Sequence, residues 1–280
     1  MPDEKDIRLS WNNSKIESIL RCAEAFRRRY VEGEIVPPGV AMLRGSTVHA
    51  VARENFRARL EPEGEPFTVE QARDLAATDF AERWAGGVSF TDEERAEGLT
   101  KVRGETKDAA VDLAGLHAKE VAPCIEPVAV EEQILVTPKG TNLLLHGTID
   151  LQERVVGGIG IRDLKSKTKS PSKTEADDSP QLTLYALLVT AKTGRPPVNI
   201  ALDHLVRTPE KHLLRWVEQR TERGKEDFQA LINRIGAAAN AVSKGVFLPA
   251  SERDWFCSPV YCGYYDAGCP YVSRKKRPVS

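Results

Sequence analysis

One stretch of the chain places two aspartates and a lysine inside strand-like sequence. It reads LHGTIDLQERVVGGIGIRDLKSK, residues 145–167, and the three charged side chains are Asp150, Asp163 and Lys165. An isolated buried carboxylate costs several kcal/mol, or its pKa changes until the group is neutral. These charges therefore either face solvent or surround something positive.

The Gly-Gly pair at 157–158 predicts a hairpin that brings these side chains together. Both central residues of a type I′ turn have φ > 0, which favours glycine. With this pair at the centre, Asp150 lies opposite Lys165, and Asp163 lies opposite Gln152. Side chains alternate between the faces of a strand, so all three charged groups share one face. A change of register by one residue would move Asp150 to the other face.

Two carboxylates on one patch repel each other unless a cation lies between them, and oxygen ligands suit Mg²⁺ or Mn²⁺. A metal held by Asp150 and Asp163 would bind a phosphate oxygen and lower the pKa of its water. Lys165 would orient or deprotonate that water, or neutralise charge that builds up on the phosphate. The pattern therefore predicts a hydrolytic phosphodiesterase site. The alternative is a plain Asp–Lys ion pair on an exposed sheet face.

The elements that must position these residues follow from the periodicity of the apolar side chains. Strand-like sequence occupies 128–136, 142–155, 159–167 and 198–207. Helical patterns occupy 12–32, 44–60, 68–85, 91–121, 179–193 and 218–244. This order predicts an α/β (or α+β) fold, with a mixed sheet and helices packed on it. We expect a single domain over 1–280, with a helical insertion at 68–121 and a catalytic core at 127–216.

Composition sets the broad class of the protein. The 280 residues, 41% hydrophobic and 29% charged, are typical of a globular protein with a large core. The chain starts without an apolar signal segment, and no apolar run approaches the roughly 18 residues that span a bilayer. We therefore expect a cytoplasmic protein without a membrane partner, either bacterial or acting in a bacterial host if phage-encoded. The net charge of −1 does not by itself indicate a nucleic-acid partner.

The sequence GTID…IRDLKSK resembles the core of the PD-(D/E)XK nucleases, in particular their RecB-like branch. In that branch a Gly-x-Ile-Asp strand is followed by an Asp/Glu-x-Lys strand, and Asp163 is the second acid here. The resemblance implies a restriction-endonuclease-like core with a mixed central sheet flanked by helices. It also implies that Asp150 and Asp163 hold Mg²⁺ or Mn²⁺ and that Lys165 is the catalytic lysine.

Two further motifs follow the order that the branch expects. RGSTVH resembles its Gly-x-x-x-His motif, which implies that His49 is a third metal ligand. QLTLY resembles its Gln-x-x-x-Tyr helix, which implies that Gln181 and Tyr185 position DNA or the lysine. The last two residues are i and i+4, so they share a helical face. Taken alone, His49 would be read as a core histidine and the Gln–Tyr pair as a helix surface pair.

Basic and aromatic side chains near these motifs are candidates for nucleic-acid contacts. The basic candidates are Lys167, Lys169 and Lys173, and the aromatic ones are Trp255, Tyr261, Tyr264 and Tyr265. A role for Glu131 or Glu132, in the strand before the hairpin, stays open. Another basic cluster lies at 274–277.

The five cysteines are not expected to form disulfides in a reducing compartment. Some RecB-like nucleases hold an iron–sulfur cluster with one N-terminal and three C-terminal cysteines. The resemblance implies a [4Fe–4S] cluster on residue 22 and segment 255–272, with the ligands Cys22, Cys257, Cys262 and Cys269. Structural Zn²⁺ on the same sulfurs and unrelated buried cysteines are the alternatives. Cys124 matches no ligand position, and we expect it to be a buried apolar residue.

Together the motifs imply a divalent-metal-dependent exonuclease that hydrolyses phosphodiester bonds at DNA ends or in single strands. Its context would be recombination, repair or phage DNA processing. The alternatives are a CRISPR-associated nuclease that trims new spacers and a non-catalytic nucleic-acid-binding subunit with the same fold. The sequence has no Gly-x4-Gly-Lys-Ser/Thr motif, so a helicase, recombinase or single-strand annealing partner would be a separate chain.

Overall fold

The computed structural model describes residues 10–273, so the basic cluster at 274–277 lies outside the described residues. Within them, one mixed sheet has the strand order β1-β3-β4-β5-β6, and β2 also pairs with β3. Parallel pairs are β1–β3 and β4–β5, whereas β3–β4 and β5–β6 are antiparallel. The strands are β1 (Ser10–Trp11), β2 (Pro127–Val136), β3 (Leu144–Val155), β4 (Gly158–Lys167), β5 (Asn199–Arg207) and β6 (Leu214–Thr221). The predicted mixed α/β fold is confirmed.

Helices flank this sheet, and several begin at side-chain caps that the sequence supplies. Thr68 and Thr91 form capping boxes, and Ser179 caps a helix whose first residue is Pro180. The α-helices are α1 (Asn13–Arg21), α2 (Ala23–Phe26), α3 (Val40–Ala58), α4 (Val69–Ala85), α5 (Asp92–Glu97), α6 (Leu99–Leu116), α7 (Pro180–Thr193) and α8 (Lys225–Ser243). In the described part of the chain, no helix is long and apolar enough to cross a membrane.

Three of the predicted helices differ from the structure, and one of them, 91–121, is divided at Gly98 into α5 and α6. The first is interrupted at Cys22, whose backbone is extended, and it ends in a π-helical turn at Arg27–Val31. The last begins only at Lys225, because Leu214–Thr221 forms strand β6 against β5. Pairing with a neighbouring strand outweighs the local helical pattern in that segment.

The turn between β3 and β4 also differs from the prediction. Val155 pairs with Gly158, so the two central residues are Val156 and Gly157. Only Gly157, with φ 92°, has a positive φ, and the turn is therefore not type I′. The predicted pairing of Asp150 with Lys165 is wrong. The register differs from the predicted one by an even number of residues, so each side chain keeps its expected face.

Cα packing divides the described residues into two compact units. The first comprises residues 10–36, 135–146 and 226–273, and the second comprises 37–134 and 147–225. In the second unit, α3 and α6 pack with β3, β4 and β5. Their shared core contains Val48, Phe56, Leu113, Leu151, Leu164 and Leu205. Helix α7 contributes a continuous buried run from Leu182 to Val189.

Gly147 of the Gly-Thr-Ile-Asp strand lets helix α7 approach β3 closely. A Cβ added at Gly147 would lie 2.9 Å from Leu188 Cδ1 and 3.2 Å from the Tyr185 ring. We expect Gly147→Val to lower the free energy of unfolding by about 1–3 kcal/mol because the added methyl groups overpack this contact. Urea unfolding measures the change. Gly104→Ala is the matched control, since its Cβ meets nothing within 4 Å, and equal stability of both variants would contradict the prediction.

Candidate active site

Strands β3 and β4 part at the position of Asp150. Their pairing ends at Leu151–Arg162, and Asp150 Oδ2 accepts the N–H of Leu164 at 3.4 Å. The carboxylate therefore takes a backbone donor of β4 and is held between the two strands.

Helix α3 brings His49 to this carboxylate. His49 Nδ1 lies 3.2 Å from Asp150 Oδ2. One turn earlier on the helix, the Cβ position of Gly45 lies 3.4 Å from Ser166 Oγ of β4, so a larger residue would crowd the helix against the strand. Burial alone would lower the pKa of His49, but the bond to Asp150 and the charge of Asp163 outweigh it, so this pKa is raised. The Gly-x-x-x-His spacing thus delivers an imidazole to the hairpin.

A hydrogen-bonded network joins the second aspartate to the lysine and to helix α7. Lys165 Nζ lies 2.7 Å from Asp163 Oδ2 and 2.8 Å from Gln181 Oε1. Gln181 Nε2 donates to Asp163 Oδ1 at 2.6 Å and to the Tyr185 hydroxyl at 2.9 Å. One amide therefore orients Asp163 and Lys165 together. These predicted residues are all brought to one place.

The two aspartates differ in their affinity for protons. Burial raises the pKa of Asp163 to about 6, and the charge of Asp150 adds to this effect while Lys165 opposes it. Burial would also raise the pKa of Asp150, but the bond to His49 and the charge of Lys165 outweigh it, and this pKa is lowered. Asp163 is only 1% exposed, so a cation beside it would favour its charged form strongly.

A buried ion network fixes β4 next to Asp163. Arg162 donates to both oxygens of Asp203 at 3.0 Å and to Glu218 at 2.7 Å, and its Nε lies 2.8 Å from Glu153. Neighbouring residues of a strand face opposite sides, so anchoring Arg162 on one side directs Asp163 to the other.

The donor set suits a divalent cation, although the ligands are not assembled around one. Within residues 10–273, no three His, Cys, Asp or Glu side chains are already placed as the ligands of a metal ion. Two carboxylates and an imidazole are nevertheless ligands that Mg²⁺ or Mn²⁺ accept. The almost complete burial of the Asp163 carboxylate beside Asp150 fits a site that holds a positive charge.

A small cavity beside these residues contains groups that sequence reasoning missed. It measures about 30 Å³, and its lining includes His49, Asp150, His117, Arg53 and Glu131. A cavity of this size holds one or two water molecules. Glu131 has φ 50°, rare for a non-glycine residue, and its carboxylate pairs with Arg53 at 3.4 Å. Its neighbour Glu132 instead accepts from Gln152 at 2.6 Å.

His117 is a deeply buried polar group of this cavity. It is 2% exposed, its Nδ1 has no hydrogen-bond partner among the described residues, and its ring meets Phe56 edge-on. Burial lowers its pKa to about 3, with smaller contributions from His49 and Arg59. No motif spacing marks this residue, so it could not be predicted from the sequence.

We expect His117 to destabilise the protein as the pH falls. Below about pH 6.5 the unfolded chain binds a proton on this histidine, whereas the folded chain does so only near pH 3. The free energy of unfolding should therefore drop by about 1.4 kcal/mol per pH unit in this window, or about 2 kcal/mol at pH 5. Urea unfolding of wild type and His117→Gln at pH 7.5 and pH 5 measures this. An identical pH dependence in both proteins would contradict it.

The four predicted cluster cysteines lie near one another in the first unit. Burial raises the pKa of the Cys262 thiol, and the charges of Cys22, Cys269 and Cys257 raise it further. Cys22 Sγ accepts the N–H of Ala250 at 3.3 Å, which ties the early helix to the C-terminal segment. Cys124 is exposed in the turn after α6, so its predicted burial is wrong.

The proposed nucleic-acid contacts divide into exposed and buried groups. Lys169 and Lys173 are exposed, and Lys167 pairs with Glu175 at 2.5 Å. Trp255 and Tyr261 are exposed as well. Tyr264 and Tyr265 are buried, which contradicts their expected stacking on bases, because they pack inside the first unit.

A mixed sheet whose central hairpin joins two aspartates and a lysine, with a histidine and a Gln–Tyr helix beside them, is the arrangement of a nuclease core. The chain belongs to the PD-(D/E)XK nuclease superfamily, whose family model matches residues 10–274. Members of this superfamily typically use Mg²⁺ or Mn²⁺.

A solved structure shares the fold at low sequence identity. This protein from Eubacterium rectale, named "Putative exonuclease", has a TM-score of 0.53 at 13% identity, covering 99% of this chain and 93% of its own. SSO0001 is a more distant match, with a TM-score of 0.41 at 12% identity, covering 95% of this chain and 88% of its own. No curated protein matches the sequence.

Proposed function

We propose that the protein is a Mg²⁺- or Mn²⁺-dependent deoxyribonuclease of the RecB-like branch, an exonuclease acting on DNA ends or single strands. The observation that carries the proposal is the Asp163–Lys165–Gln181 network beside the Asp150–His49 pair. The acids and the lysine that a hydrolytic site requires are all present, which favours an active enzyme over a non-catalytic subunit. Its cellular context would be recombination, repair or phage DNA processing in the cytoplasm.

Each side chain of the site has a distinct task in this proposal. Asp150, Asp163 and His49 would hold the divalent metal, which when bound supplies a Lewis acid and lowers the pKa of water. Lys165 Nζ, held 2.7 Å from Asp163, would orient the attacking water or balance charge that builds up on the phosphate. Gln181 keeps this ammonium in place through its amide oxygen. Tyr185 in turn fixes the orientation of the amide.

DNA would be held partly by the basic segment that follows β4. Lys167 ends the strand, and Lys169 and Lys173 follow on exposed positions. Phosphate contacts of this kind supply affinity without reading sequence. They would keep the DNA backbone beside Asp150 and Asp163, the proposed ligands of the catalytic metal.

We further propose that Cys22, Cys257, Cys262 and Cys269 hold a [4Fe–4S] cluster, with structural Zn²⁺ as the alternative. The proximity of the other three thiols to Cys262 supports the binding of one metal centre by all four. The cluster would be a structural link within the first unit, because thiolate ligation of four distant positions constrains the unfolded chain.

The test is an assay with end-labelled single- and double-stranded DNA, in Mg²⁺, Mn²⁺ or EDTA. We expect cleavage only with metal, and release of short products from a labelled end rather than internal fragments. Covalently closed circular DNA is the control, since an exonuclease leaves it intact. Cutting of the circle would replace the exonuclease assignment with an endonuclease. No cleavage of any substrate with either ion would favour the non-catalytic subunit.

A further inference from the structure

Among residues 10–273, no anionic side chain pairs with the half-buried guanidinium of Arg44 on helix α3. Its Nε is enclosed by protein and has no hydrogen-bond partner, and no described carboxylate forms an ion pair with it. A charge that loses water without gaining a partner is costly. The fold therefore keeps an uncompensated positive group here.

The packing of α3 explains where this group lies. Val48, one turn after Arg44, packs with Leu164 of β4 and Leu205 of β5. Side chains two residues apart in a strand share a face, so Arg207 follows Leu205 on the same face of β5. Arg44 is accordingly placed near the end of β5, beside a second arginine.

The two arginines hold more positive charge than their surroundings balance. Burial lowers the pKa of Arg44, and the positive charge of Arg207 lowers it further. Asp112 pairs with Arg207 at 2.8 Å through Nε, which leaves four further N–H donors on that guanidinium. Asp112 is paired with Arg207 alone, and no described carboxylate is paired with Arg44. An anion between them would remove the repulsion.

We propose that Arg44 and Arg207 form a binding site for a phosphate group of the nucleic acid, separate from the phosphate that is cut. Guanidinium groups bind phosphate oxygens in a bidentate fashion and keep their charge at any physiological pH. The proposal rests on the proposed function, since it assumes a nucleic-acid substrate, and it adds a specific anchoring point to it.

The position of Arg44 separates it from the aspartate site. Arg44 precedes His49 by five residues, a rotation of about 140° around the helix, so the two side chains leave α3 on different sides. The phosphate bound by Arg44 and Arg207 would therefore be a different one from the phosphate that is cut.

A first experiment uses inorganic phosphate and measures melting temperature. Arg44→Met keeps the apolar stem of the side chain and removes its charge, so it should be at least as stable as wild type without ligand. Phosphate should raise the melting temperature of wild type more than that of the variant, because ligand binding stabilises the folded state. Chloride at equal ionic strength is the salt control. Equal phosphate shifts in both proteins would overturn the site.

A second experiment measures oligonucleotide binding in EDTA, where no cleavage occurs. A series of oligonucleotides each carries one uncharged methylphosphonate linkage, and a further pair differs only in a terminal phosphate. In wild type, one of the methylphosphonate linkages, or the loss of the terminal phosphate, should weaken oligonucleotide binding about tenfold, which corresponds to about 1.4 kcal/mol. In Arg44→Met and Arg44→Gln the same change should have no effect, whereas Arg103→Gln, an exposed control, should behave as wild type.

These results are independent of the catalytic assignment. A penalty that persists in both Arg44 variants would overturn the phosphate site even if the protein cuts DNA. Loss of the penalty in the variants would support the site even if no cleavage is found. Failure of the nuclease assay and failure of the phosphate site are therefore distinguishable.

Discussion

Asp163→Ala should abolish DNA cleavage while the protein stays folded and still binds DNA. Asp163 accepts hydrogen bonds from both Lys165 and Gln181. Its loss therefore removes a proposed metal ligand and the group that orients the lysine. Loss of one positioned electrostatic group in an active site typically slows the chemical step about 10²–10³-fold, and loss of a metal ligand should exceed this. Most affinity for DNA comes from phosphate contacts elsewhere and should remain.

Single-turnover cleavage with Mg²⁺ measures the effect, with melting temperature and binding in EDTA measured on the same preparations. Stability should not fall, because the variant no longer buries a carboxylate whose pKa is raised to about 6. Asp108→Ala, an exposed aspartate of α6, is the matched control and should cut as wild type does. A wild-type cleavage rate for Asp163→Ala would show that the site is wrongly assigned.

Cys22→Ser should remove the proposed iron–sulfur cluster and much of the stability that depends on it. Protein purified without oxygen is expected to be brown, with about four irons per chain. The variant should be colourless, and its free energy of unfolding should fall by roughly 2–5 kcal/mol, the range seen when a covalent link is lost from a small domain. Visible absorbance, iron content and urea unfolding measure these changes.

Cys124→Ser is the control for this experiment, because Cys124 is exposed and donates only to the carbonyl of Glu120. Its colour and stability should match wild type. A colourless wild-type protein with one zinc per chain would replace the cluster by zinc while keeping the link. A metal-free wild-type protein whose Cys22 variant melts normally would contradict both, and the hairpin site would be unaffected.

The sequence predicts the hairpin site because strand alternation is robust to the details of the turn. The turn residues were misplaced by one, yet Asp150, Asp163 and Lys165 keep their faces, since the resulting change of register is even. The Gly-Gly pair was a misleading signal. Only Gly157 has the left-handed conformation expected of a central turn residue, while Val156 occupies the exposed tip.

Other features depend on long-range contacts that local pattern does not encode. Residues 218–221 are predicted as the start of a helix, but they form the second half of strand β6 because β5 pairs with them. Arg44 and His117 carry no motif of their own, because their surroundings arise only where α3 and the end of α6 cross the sheet. Arg44 does lie directly before Gly45 of the Gly-x-x-x-His motif, and that position was the one local signal that could have drawn attention to it.

The separation of Cys22 from its proposed co-ligands has a consequence for biosynthesis. Cys257 follows Cys22 by 257 − 22 = 235 positions, and Cys269 follows later still. At roughly 5–20 residues per second, a ribosome needs tens of seconds to deliver the partners after the first ligand emerges. A chain cut short before Cys257 has one of the four sulfurs, so cluster insertion would select chains in which both cysteine segments have been synthesised.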